Sequence, residues 1–420
     1  MSENKSIPSL EEVCRFVSPS RATAFRAIGF PLVQGRREGT RLFDLEGHPF
    51  INCRSSGGVF NFGHKAPFAV EALRKALDEY DVGDWLVPSA ARGIAAEKLS
   101  DTLPGGDWIS FFVPGGGEAV DVALKLSRLY TGRVKVVCSE AGYHGHTGFA
   151  LSAGDPSLSK GIGPLVPGFE RVEFGNAEAF EKAIDADTAV VILETIPATA
   201  GMIMAPEDFY PRVRAACDRV GALLICDEVQ AGLGRTGKIW AFENWGICPD
   251  IIITGKGLSG GVYPISACTY RSELDVALKD WPFFHPSSFG GAELGAVVAA
   301  AVIDEVRKPG FLEHVREMGE VFQAGFDNLA KKYPDLLLEF RRKGLMMGYD
   351  LPSPVHAYTI MRLLLERGVL SVLSNNRPFS MQMMPALVIS REEVDFVLDA
   401  LDGAFAALPD EVPADAANIQ

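Results

Sequence analysis

At 420 residues the chain is long enough for one large core with a smaller appended unit, or for two ordinary domains, and too long for a single small domain. Forty basic residues against 54 acidic ones give a formal charge of -14, which argues against a passive nucleic-acid binder because phosphate binding needs a basic footprint. Hydrophobic residues at 47%, charged residues at 22% and 43 glycines describe an ordinary α/β enzyme rather than a disordered or fibrous chain.

The N-terminal stretch "MSENKSIPSLEEVCRFV" carries acidic residues where a signal peptide needs a basic start and then an apolar core, so no export is expected. "RLFDLEGHPFINC" alternates apolar and polar residues around Glu46 and Gly47, a hairpin signal, and the first 60 residues read as a small meander. From "APFAVEALRKALDEY" onward apolar residues recur at helical spacing. Helices then alternate with the short apolar runs "WISFFV", "VKVVCS", "TAVVILE", "ALLICDE", "DIIIT" and "PISACTY". That alternation implies crossover units and a mostly parallel sheet. The runs are far shorter than the roughly 20 residues a bilayer span requires.

After the apolar helix "AELGAVVAAAVIDEVRK", Pro309 and Gly310 break the pattern. The remainder reads as a helix, a strand over "LLEFRRKGLMMGYDL", a helix over "YTIMRLLLERG", a further strand and a last helix. The tail "PDEVPADAANIQ" is expected to fray. Cys14, Cys53, Cys138, Cys217, Cys226, Cys248 and Cys268 are odd in number and scattered without a C-x-x-C pair. Neither a disulfide framework nor a zinc site is indicated, and a reducing cytoplasmic location is expected.

Three features carry chemistry. "DIIITGKGLSGG" fails as a nucleotide loop, because Asp250 stands where the first glycine is needed and Gly257 where the hydroxyl residue is needed. "PGGGEAV" is not a dinucleotide fingerprint, yet Gly115, Gly116 and Gly117 sit between a strand and a helix, where bare N–H groups and a helix dipole would face one anion. A ligand-free glycine turn is the alternative reading. Asp227 and Lys256 each end a strand, one crossover apart, and ligands in such sheets bind at the carboxyl ends of strands. A helix cap or a structural ion pair is the bland reading for Asp227. A phosphate cup, a buried carboxylate and a strand-end lysine are together what a pyridoxal phosphate enzyme needs.

"PGGGEAVDVALKLSR", "YHGHT", "DEVQAGLGRTGKIWAFE", "PDIIITGKGLSGGVYPISA", "HPSSFGGAELG", "RRKGLMMGYDL" and "MMPALVISREEVD" resemble, in order, the signature blocks of the class III aminotransferases. The resemblance implies a fold type I pyridoxal phosphate enzyme: an α/β chain with a mainly parallel seven-stranded sheet between helices and a small α+β domain. Residues 1–60 would contribute to the small domain, 61–308 form the large cofactor domain and 309–420 complete the small one.

It further implies that Lys256 is the Schiff-base lysine and proton shuttle, that Asp227 pairs with the pyridine nitrogen, and that Gln230 bonds near the ring hydroxyl. Val229 and Tyr143 would pack on the two ring faces, with His144 and Glu194 beside the cofactor. Gly116 and Gly117 would supply cup amides, and Ser288 a hydroxyl to the neighbouring subunit's phosphate across a homodimer interface. The implied reaction is ping-pong transfer between an amine and a keto acid or aldehyde, with no nucleic-acid or membrane partner. A racemase, decarboxylase or dehydratase on the same scaffold, or a silent cofactor-binding protein, stays open at this level.

Departures from the family pattern matter. The cup is all glycine rather than S-G-T, and "GGNP" appears as Gly290, Gly291, Ala292 and Glu293. Gln382 stands where many members carry a substrate-carboxylate arginine, which points to a polyamine, an amino sugar or another ω-amino compound. Alternatively another arginine takes the carboxylate, with Arg377, Arg54, Arg92 and Arg235 as candidates. His144 and His146 lack a third ligand and read as packing or hydrogen-bonding groups rather than a metal site. Arg235 reads as a loop organiser, and Met346 and Met347 as core.

Overall fold

The computed structural model describes residues 8–408. The tail expected to fray, 409–420, lies outside the described residues, as do the first seven.

The apolar runs become a seven-stranded sheet. Its spatial order is Trp108–Val113, Ser266–Arg271, Ile251–Thr254, Leu223–Asp227, Thr188–Glu194, Lys135–Ser139 and Phe169–Val172. Every position of Thr188–Glu194, Leu223–Asp227 and Ile251–Thr254 is buried, as a strand covered by helices on both faces requires. Ser266–Arg271 runs antiparallel to both its neighbours, and the remaining pairings are parallel. The edge strand Phe169–Val172 escapes a sequence reading because "FERV" has two charged residues and no continuous apolar run.

The helix Gly116–Thr131 buries Ala119, Val120, Val122, Ala123, Leu124 and Leu126 against this sheet. Burial of a Val or Leu contributes roughly 1.5–3 kcal/mol each, so the stripe fixes the helix and aims its first turn at the carboxyl edge of the strands. At that edge Glu194 lies opposite Asp227, and Asp227 opposite Ile253.

The N-terminal meander is present as Gln34–Glu38, Arg41–Asp44 and Pro49–Asn52, with the turn at Gly47 (φ 94°). Two helices precede it, Leu10–Cys14 and Pro19–Ala27, which the meander reading omitted. Their signals were available: Ser9 and Glu12 form a capping box, and Pro19 opens the second helix. Pro49–Asn52 also pairs in parallel with Val369–Leu370, so the two ends of the chain share one sheet.

The single strand expected over "LLEFRRKGLMMGYDL" is instead a hairpin, Glu339–Lys343 against Met346–Asp350. Gly344 supplies the turn at φ 54°, a left-handed conformation open to glycine at little cost. Met346 and Met347 are fully buried in the core, as expected. Arg377–Met383 and Val372–Ser374 complete this second four-stranded sheet. Among the described residues no helix is long and apolar enough to cross a membrane, and all seven cysteines are free thiols.

Candidate active site

Five pieces of backbone meet at the carboxyl edge of the large sheet. The helix Gly116–Thr131 begins at Gly115 with no side-chain cap, which leaves first-turn N–H donors without intrahelical partners. The loop after Lys135–Ser139 brings Tyr143, His144 and Gly145. Strand ends contribute Glu194 and Asp227, and Lys256 follows Ile251–Thr254 at φ 42°. These pieces enclose a cavity of about 160 Å³ lined by Gly116, Gly117, Tyr143, His144, Gly145 and Glu194 on one side and by Ile196, Asp227, Val229, Gln230, Ala231 and Lys256 on the other.

Close packing keeps the cup open to an anion. A Cβ on Gly116 would sit 3.3 Å from both methyl groups of Val229, and one on Gly145 only 2.7 Å from Gly117 Cα. Gly145 also holds φ at 120°, where L side chains are strained. We expect Gly145→Ala to cost about 1–3 kcal/mol and to spread the cup. Thermal unfolding and a titration with pyridoxal phosphate would read the two effects, and undiminished affinity would refute a tight cradle.

The polar groups form one connected set. His144 Nδ1 lies 2.8 Å from Asp227 Oδ2, while Asp227 Oδ1 accepts from Val229 N at 3.1 Å. Glu194 Oε1 accepts from Tyr143 N at 2.8 Å. Lys256 Nζ donates to Gln230 Oε1 in a short hydrogen bond, and Gln230 Nε2 rests on Met384 Sδ. Among the described residues His144 Nε2 is buried without a partner.

Burial is the largest single influence on Glu194, Lys256, His144 and Tyr143. It pushes Glu194 up to about 7, with His144 opposing and Asp227 adding to the rise. It pulls Lys256 below the usual lysine value, against the attraction of Glu194 and Asp227 and with help from the charge of Arg54. For His144 burial is outweighed by the hydrogen bond and charge of Asp227 together with Glu194, so its value is raised. Burial, then Glu194 and Asp227, raise the Tyr143 phenol.

Behind the site Glu228 is buried with three donors: Thr195 Oγ1 at 2.6 Å, Phe242 N at 2.9 Å and Ala241 N at 2.8 Å. Burial nevertheless lifts its carboxyl to about 7. Glu228→Ala orphans two backbone N–H groups and should cost about 2–5 kcal/mol. Because the folded value is raised, the stabilisation Glu228 contributes is full below the ordinary carboxyl range and is lost as pH climbs through about 7. The destabilisation by Glu228→Ala should therefore be larger at pH 5 than at pH 8 in thermal unfolding, and the reverse order would refute this account.

Nine of the ten residues singled out above line this cavity. Ser288 does not; it is exposed on a loop with the exposed aromatics Trp281, Phe283 and Phe289. Gln382 is engaged with the backbone, its Nε2 donating to Ala198 O at 3.1 Å. Arg377 is held by buried Asp350 at 2.6 Å, and Arg92 donates to the carbonyls of Asp84, Val87 and Gly291. Arg235 is fully buried and donates to Leu345 O, Pro385 O and Asn61 Oδ1, which ties its loop to the C-terminal part. His146 is exposed and meets the Tyr143 ring edge-on. Glu293, unexplained by sequence, opens the helix Glu293–Val306, where a carboxylate suits the positive end of the dipole.

Sequence reasoning passed over Gly145, Ile196 and Ala231 as lining residues, and Gly57, on which a Cβ would approach Lys256 Nζ to 3.1 Å. The left-handed turn that brings Gly57 there leaves only the mild signal of paired glycines.

The family described as "Aminotransferase class-III" matches residues 24–405. An uncharacterised aminotransferase of Archaeoglobus fulgidus is 47% identical over 395 residues, covering 94% of this chain and 93% of that protein. A putrescine aminotransferase of Pectobacterium atrosepticum is 35% identical over 394 residues, covering 90% and 84%. The crystal structure of the ornithine aminotransferase from Toxoplasma gondii ME49 superposes with a TM-score of 0.88 at 26% identity, covering 96% of each chain. With its cavity at the carboxyl edge of a mainly parallel sheet and a match spanning nearly its whole length, this chain belongs to the class III aminotransferases, enzymes that transfer an amino group.

Proposed function

We propose that the chain carries an amino group from an ω-amino compound, a polyamine or an amino sugar to a keto acid or aldehyde, with pyridoxal phosphate held in the cavity described above. The observation that carries this reading is the convergence on one cavity of an uncapped glycine cup, an aromatic wall, a buried carboxylate and a lysine amine of lowered pKa. The residues fit the cofactor: Gly116 and Gly117 N–H groups for the phosphate, Tyr143 and Val229 for the ring faces, Asp227 for the ring nitrogen and Gln230 for the ring hydroxyl. Bound there, pyridoxal phosphate supplies an electron sink for the carbon that gives up its proton.

The protein's own part is to hold and move protons. Lys256 Nζ, whose pKa burial lowers, is the base that takes a proton from substrate and returns it. Gln230 Oε1 fixes the position of that amine between transfers. Asp227 would face the ring nitrogen, oriented by His144 and by Val229 N. The engagement of Gln382 with Ala198 and of Arg377 with Asp350 leaves neither free to bind a donor carboxylate in the manner of the family's arginine, which supports carboxylate-poor amines.

We also propose residues 61–308 as the cofactor domain, with 1–60 and 309–420 forming the smaller one. A homodimer places Ser288 and its exposed aromatic loop against the partner, in the reducing cytoplasm that suits free buried thiols. A panel of putrescine, ornithine, glutamate and glucosamine, followed by aldehyde or keto product and by aminated acceptor, tests the reaction. Turnover of α-amino acids alone would sink the proposed donor class.

A further inference from the structure

The turn above Lys256 is built at a cost. Ser55, Ser56, Gly57 and Gly58 all hold positive φ, at 45°, 50°, 66° and 99°, and two of them are serines, for which this backbone is unfavourable. Strain of this kind persists where the surroundings over-determine it and marks functional sites. The surroundings are specified: Asn52 Oδ1 accepts from Arg54 N at 3.1 Å and Ser55 N at 2.9 Å, and Asn52 Nδ2 contacts His64 Nε2 at 3.0 Å. Cys53 is pinned on both sides, donating to Leu370 O and accepting from Met384 N. Gly57 N donates to Arg54 O at 2.9 Å, which closes the turn and sets Gly57 against Lys256 and Gln230.

The residue that opens this turn is Arg54. It is exposed, and among the described residues its guanidinium makes no hydrogen bond and no ion pair. The turn sets its neighbour Gly57 against Lys256 Nζ, and the Arg54 charge contributes to the lowered value of that amine. Arg92, Arg235 and Arg377 are all engaged by protein oxygens, so Arg54 is the cation near the lysine that is free to meet a ligand. It stands beside the end of Arg377–Met383, the strand whose Gln382 cannot supply a charge. A free guanidinium repels a cationic amine and forks onto a carboxylate.

We propose that Arg54 binds the carboxylate of the keto-acid acceptor, so that the enzyme reads its acidic substrate from the strained Arg54–Gly58 turn. The proposal rests on the transamination reading above, which is why its test includes a measurement without turnover. In the loaded enzyme, Arg54→Gln should lower the ratio of kcat/KM for 2-oxoglutarate to kcat/KM for a neutral aldehyde acceptor at least 20-fold, with Arg54→Lys intermediate. The dissociation constant of glutarate, which does not react, should rise at least tenfold in Arg54→Gln by calorimetric titration. An unchanged acceptor ratio, or equal glutarate affinity in the two proteins, would overturn the assignment. Should the wild type transfer no amino group while glutarate affinity still depends on Arg54, the anion site stands and the transamination reading fails.

Discussion

Replacing Lys256 by alanine should reduce turnover by about 10⁴-fold or more, the upper end of what a positioned proton-transfer group contributes. The reason is local. Lys256 Nζ is the amine at the cavity floor, held by Gln230 Oε1 and kept below its ordinary pKa by burial, and among the described residues no second amine lines the cavity to replace it. Stability should not follow activity downward, since a buried amine that burial disfavours is being removed. Product release from a good amine, measured with thermal unfolding on the same sample, checks both. Retained turnover in a folded variant would refute the assignment of Lys256.

Asp227→Asn is the second large effect, because it keeps shape and removes charge. Turnover should fall by about 10²–10⁴-fold, the scale of losing a preorganised charge at a reacting centre. The variant also makes a test that a purely packing role would not meet. His144 owes most of its raised pKa to Asp227 against the opposing effect of burial, so with asparagine only Glu194 is left to oppose burial and the value should drop. In the wild type the stabilisation from a raised histidine is full below about 6.5 and is lost as pH rises through the folded value. The variant should lose stability relative to the wild type mainly on the acid side, where its buried imidazole resists protonation. Histidine NMR titration and unfolding at pH 5.5 and 8 report this, and an unchanged His144 titration would overturn the pairing.

Much of this site was legible from strand ends. Asp227 and Lys256 follow continuous apolar runs whose burial on both faces forces them to the sheet centre, and parallel register then brings Glu194 and Asp227 side by side. Gly116 and Gly117 were legible for a related reason, since glycines between a strand and a helix leave bare N–H groups at the same edge. What escaped depends on contacts between distant segments. Nothing local announces that Asn52 anchors a turn over Lys256, or that Gln382 is turned onto Ala198. The hairpin at Gly344 was misread because apolar and charged residues continue through it without a break in composition. The edge strand Phe169–Val172 lacks the apolar run that marks its buried neighbours.

The pairing of Pro49–Asn52 with Val369–Leu370 has a consequence for synthesis on the ribosome. At roughly 5–20 residues per second, about 300 residues emerge only over roughly 15–60 s. During that interval the strand holding Ile51 has an unsatisfied backbone edge and an apolar face that belongs beside Val369. The nascent chain thus carries an open β-edge until about its last eighth arrives, and chaperone demand should be set by the delay before residue 370 clears the exit tunnel.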